Sequence, residues 1–152
     1  MKKPNFTLFI AILAVSLCFS FVTQAASVQA ESFNTAKLKG HGIIEFQGNG
    51  KITINGEGVI FIGENGRIDL VGLSNFFEND EDGNRVYIVP EDVGTVEIEG
   101  EDMDVSFYGA DFGYIVTATG KSMLNAKGYG YYRIGLTMGV WTSDGAEFNL
   151  GN

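Results

Sequence analysis

Four octads run head to tail between Gly40 and Val71: GHGIIEFQ, GNGKITIN, GEGVIFIG and ENGRIDLV. In each, large aliphatic or aromatic residues take alternate positions and then yield to a glycine-containing triplet. Side chains on an extended chain point alternately to its two faces, so this spacing gathers Ile44, Phe46, Ile52, Ile54, Ile60 and Ile62 on one side. A helix of period 3.6 would scatter them. The chain is expected to be all-β, and the phrase returns over 120–127 and 128–135 as GKSMLNAK and GYGYYRIG.

Strands are expected over 43–47, 51–55, 59–63 and 67–71, with reversals between them. A three-residue turn at Gly48-Asn49-Gly50 sets Phe46 opposite Ile52 and Ile44 opposite Ile54, all on one face, whereas a two-residue turn would divide the set. The expected architecture is a meander of short antiparallel strands closing as a sandwich or a barrel. The alternative is a β-solenoid, with two or three octads to a coil and glycine at the corners. The lapse of the repeat after Val71 favours the meander. Residues 74–85 (SNFFENDEDGNR) read as a long acidic surface loop, with Phe76 and Phe77 pinning it to a sheet. Val96 and Ile98 fall on even positions and Met103, Val105 and Phe107 on odd ones, so a bulge or tight turn is expected at Gly100. Val59 and Phe61 make the third strand apolar on its outer face too, which calls for a cover.

Residues 1–30 carry Lys2 and Lys3, an apolar run over 6–22 and small residues before Glu31, the pattern of a cleaved secretory signal. One all-β domain over 31–152 is the expected product, exported to the periplasm or outside the cell. It would touch a membrane only through an uncleaved leader. The single cysteine, Cys18, lies in that leader, so the domain rests on core packing without a disulfide. Removing Lys2 and Lys3 from 10 basic residues leaves eight against 19 acidic ones, a formal charge of −11. A surface of that sign repels polyphosphate, and neither nucleic acid nor an anionic bilayer is expected as a partner.

The runs GxGxIxIxGxGxI, VGTVEIEGEDMDVSFYG and ATGKSMLNAKGYGYYRI, spread over residues 38–150, resemble those of exported glycine-rich octad-repeat proteins of prokaryotes, a functionally uncharacterised group. The resemblance implies an exported all-β protein. It brings no catalytic residue, cofactor or ligand with it.

Chemistry-bearing patterns are sparse. His41, the only histidine, sits between Gly40 and Gly42, and no G-x-S-x-G elbow, HExxH motif or cysteine pair accompanies it, so no catalytic residue is assigned. Glu99, Glu101, Asp102 and Asp104 crowd one turn, where carboxylates are exposed rather than poised as acids. Asp80, Asp82 and Asn84 have the D-x-D-x-N spacing of hard oxygen ligands and are candidates for calcium, although Arg85 stands where an EF-hand needs glycine. Tyr129, Tyr131 and Trp141 are candidates for stacking against a sugar, Tyr131 on an outer face and Tyr129 at a turn.

The expected function is that of a non-catalytic exported β-module presenting a rigid surface in adhesion or assembly, with a surface glycan or an envelope protein as partner. A carbohydrate-binding module and a calcium-stabilised surface protein are the alternatives.

Overall fold

The computed structural model describes residues 34–73, 76–110 and 113–151; the leader expected over 1–30 lies outside the described residues. The fold is all-β, with nine strands among the described residues: β1 (Thr35–Asn55), β2 (Gly58–Ile62), β3 (Arg67–Val71), β4 (Phe76–Asn79), β5 (Arg85–Val89), β6 (Thr95–Gly109), β7 (Tyr114–Ile134), β8 (Thr137–Trp141) and β9 (Ala146–Leu150). Their pairings are antiparallel.

Ala36 decides the topology. It pairs with Ala118 on one side and with Ile134 on the other, and both belong to β7. One strand can flank the same residue twice only by making a complete turn between passes, and here that turn takes sixteen residues, two octads. Residues 51–55 of β1 pair in the same way with 115–119, the stretch that also pairs with 35–39. Two arms, 35–71 and 95–134, therefore run antiparallel beside each other and wind together as a flattened ribbon.

Each turn passes through two layers. One contains β3, 95–100, 51–55, 114–119, 35–40, 130–134 and β8; the other contains β4, β5, β2, 103–109, 43–48, 122–127 and β9. Inward side chains meet across the gap: the rings of Tyr132 and Phe148 lie 4.5 Å apart, and those of Phe107 and Tyr114 lie 5.1 Å apart and nearly perpendicular. Ile44, Phe46, Ile52, Ile54, Ile60 and Ile62 are all buried in this core. Burying such a side chain contributes about 1.5–3 kcal/mol, so the alternate spacing supplies much of what holds the layers together.

The reversal expected at Gly48-Asn49-Gly50 is not one. β1 runs through it, turning a corner from one layer into the other, with φ of 131° at Gly48 and 148° at Gly50 and a register shift against β6. A Cβ on Gly50 would overlap the carbonyl oxygen of Thr119, so close approach demands glycine as much as the dihedral does. The inward set survives because corner and three-residue loop preserve the same parity. The path has the two-octad coil of a solenoid, but neighbouring strands are antiparallel because the chain returns along itself.

The flip expected near Gly100 is present. Asp102 takes φ 50° there, and its N–H donates to Asn49 Oδ1 at 2.7 Å. In the segment read as a loop, residues 76–79 instead form β4 on β5, and Phe77 is exposed rather than pinned to a sheet. β5 would otherwise leave an unpaired edge, which local composition does not reveal. On the outer face of β2, Phe61 packs edge-on against Tyr108 of its own layer at 5.2 Å.

Candidate functional site

A groove of about 470 Å³ lies where 39–41, 55–56, 113–115 and 129–131 come together at one edge of the layers. Cross-strand register builds it. Tyr131 pairs with Lys39, Lys39 with Ile115, and Ile115 with Asn55, so these outward residues form one row across four strand segments. At the corner beside the row, His41 pairs with Tyr129. Gly40, Gly56, Gly113 and Gly130 also line the groove and leave it open because they carry no side chains. The imidazole of His41 lies against Gly113, whose added Cβ would stand 3.2 Å from Cε1.

Tyr129 and Tyr131 present their rings to solvent, 66% and 51% exposed. On one strand and one face they stand about 7 Å apart along the backbone. Two amphipathic rings beside Lys39, His41 and Asn55 offer flat apolar faces next to hydrogen-bonding groups, the combination that holds a pyranose ring by its C–H face and its hydroxyls.

Trp141 is placed elsewhere. It is 2% exposed, and its six-membered ring lies under Gly40 and Gly130 on the core side of the groove. Its Nε1 has no hydrogen-bond partner within the described protein, and the same holds for Tyr114 Oη and Ser122 Oγ. The structure thus brings Tyr129 and Tyr131 together and sets Trp141 behind them as support. Lys39, Asn55 and the histidine complete the groove; the Gly-His-Gly triplet was a visible signal for His41, while Lys39 and Asn55 carried none.

Asp80, Asp82 and Asn84 form a turn between β4 and β5. Asp80 Oδ1 accepts from the N–H groups of Asp82 at 3.0 Å and Asn84 at 2.8 Å, and Oδ2 accepts from the Asn84 amide at 2.8 Å. The Asn84 amide bond chiefly holds the Asp80 carboxyl below its ordinary 3.8. Both oxygens of Asp80 are therefore engaged in closing the turn, an Asx arrangement. Among the described residues, no group of three His, Cys, Asp or Glu side chains is arranged to hold a metal ion.

The chain matches no family model, no curated protein and no solved structure.

Proposed function

We propose that the chain is a non-catalytic exported β-module that presents a rigid surface at the cell envelope or outside the cell and holds saccharide there. The observation that carries this reading is the outward pair Tyr129 and Tyr131 on a groove whose remaining lining is glycine backbone, Lys39, His41, Ile115 and Asn55. The non-catalytic part of the reading rests on the sequence, in which His41 has no G-x-S-x-G elbow, HExxH motif or cysteine pair beside it. Export rests on the leader pattern of residues 1–30.

A glycan array probed with the mature protein tests the reading. Retention on a defined set of saccharides, lost in Tyr131→Ala with the melting temperature unchanged, is the expected result. Absence of any retained glycan, or undiminished retention by Tyr131→Ala, overturns it.

Assembly is a second reading, favoured by β8. This edge strand carries no charge, and Leu136, Met138 and Val140 beside or on it are exposed, in contrast to β3 with Arg67 and Asp69. Uncharged edges pair with further strands. Sedimentation of the mature protein as a dimer, reverting to monomer in Val140→Lys, is the outcome that supports it; a monomer at all concentrations overturns it.

A further inference from the structure

We infer that the saccharide held at this groove is a uronate, a sugar bearing a carboxylate, and that Lys37 and Arg133 recognise its charge. The inference rests on the saccharide reading of Tyr129 and Tyr131 and narrows it.

Lys37 stands directly opposite Arg133 across the β1–β7 ladder. Like charges facing each other in this way destabilise a sheet. The other neighbour of Lys37 is Thr117, and those of Lys39 are Ile115 and Tyr131, so no acid stands opposite either lysine. All three basic residues are exposed. The arrangement is conspicuous in a chain where acids outnumber bases and where other bases do face acids: Lys51 bonds Glu97 at 2.7 Å, and Arg67 pairs with Glu101. A local rule broken without a compensating partner marks a site built for something outside the chain.

The geometry around the pair fits a carboxylate. Lys37 and Arg133 line a concavity of about 330 Å³ with Thr35, Asn34 and Gly135. It adjoins the tyrosine groove, since Lys37 and Lys39 are alternate residues on one face and Arg133 and Tyr131 are their partners. Arg133 Nε donates to the Gly135 carbonyl at 3.0 Å. That bond anchors the guanidinium and leaves its terminal nitrogens for an acceptor, and a planar fork of N–H donors suits a carboxylate. A sugar stacked on the tyrosines would thus extend its chain toward two opposed cations.

The overall negative charge does not forbid this. In the row through Lys37 the next residues are Thr117, Thr53 and then Glu97, three strand spacings or about 14 Å away. That exceeds the screening length of about 8 Å at physiological salt, and Glu97 is already engaged by Lys51.

Titration calorimetry with oligogalacturonate and with its methyl ester, which has the same shape without the charge, tests the assignment. The wild-type protein is expected to bind the acid roughly ten-fold or more tighter than the ester, the effect of one charge-assisted hydrogen bond, with the preference shrinking as salt rises. The double variant Lys37→Gln, Arg133→Gln is expected to lose the preference, keep its binding of the ester, and melt no lower than wild type. Tyr131→Ala should weaken both ligands. Equal binding of acid and ester, or a preference retained in the double variant, overturns the uronate assignment and leaves the saccharide reading standing. Failure to bind any glycan, charged or neutral, overturns the saccharide reading itself.

Discussion

The six-membered ring of Trp141 lies so close to Gly130 that a methyl group on that glycine would overlap it. Gly130 has no unusual φ, so the demand for glycine here is one of space alone. Gly130→Ala must push the indole or part the β1–β7 ladder. It is expected to cost about 1–3 kcal/mol, the range for overpacking a filled core, read as a lowered denaturant midpoint with an unchanged slope.

Tyr114 carries the opposite kind of fault. Its hydroxyl is buried without a partner within the described protein, and an unsatisfied buried polar group costs about 1–3 kcal/mol. Tyr114→Phe keeps the edge-on packing against Phe107 and is expected to stabilise the fold by about 1 kcal/mol, a gain at the low end of that penalty.

The same residue sets an alkaline limit. Burial pushes the Tyr114 phenol well above its ordinary value of 10.0. Above pH 10 the unfolded chain gives up this proton and the folded one retains it, so the unfolded state binds fewer protons and stability falls as pH rises. Melting curves on either side of pH 10 should show that fall, and it should be smaller in Tyr114→Phe.

At the corner of β6, the Asn49 side chain closes the N–H of Asp102, a non-glycine residue with positive φ. Asn49→Ala leaves that donor to water and is expected to cost about 0.5–1.5 kcal/mol, the net worth of one hydrogen bond. Asp102→Gly should offset the loss in the double variant, because glycine takes positive φ without strain.

The Asp80 turn makes an acid-side prediction. A carboxyl held low in the folded state contributes stability above its ordinary value of 3.8, and that contribution is lost as pH falls through the folded value. Amide exchange at Asp82 and Asn84 should therefore accelerate, relative to the core, as pH is taken below 3.8. Because both Asp80 oxygens already hold N–H donors, millimolar calcium is expected to leave the melting temperature unchanged.

The burial of the octads was legible because inward and outward positions depend only on parity. Ile44 and Ile60 occupy their expected face whether the chain reverses or turns a corner between them. The choice between those two paths was not legible. A Gly-x-Gly triplet supplies the dihedral freedom for either, and what selects the corner is the approach of Thr119 to Gly50, about seventy residues along the chain. The groove was half legible for the same reason. Alternation places Tyr131 outward, but the space beside it is left by glycines at 40, 56, 113 and 130, which come together only when both arms are wound. Trp141 could not be assigned to the inner side from its neighbours, since the room for its ring is made by Gly40 and Gly130 on other segments.

Because the strands of one arm pair with the other arm along the winding, as Ala36 does with both Ala118 and Ile134, length added inside one arm alone would leave the new stretch without partners. Within the ribbon, an extra turn requires two insertions of sixteen residues, one in each arm, matched to each other. A lone duplicated block would have no counterpart to pair with. Enlargement inside the winding must therefore proceed by coupled events at separated points in the coding sequence, whereas growth at the bend can come from one.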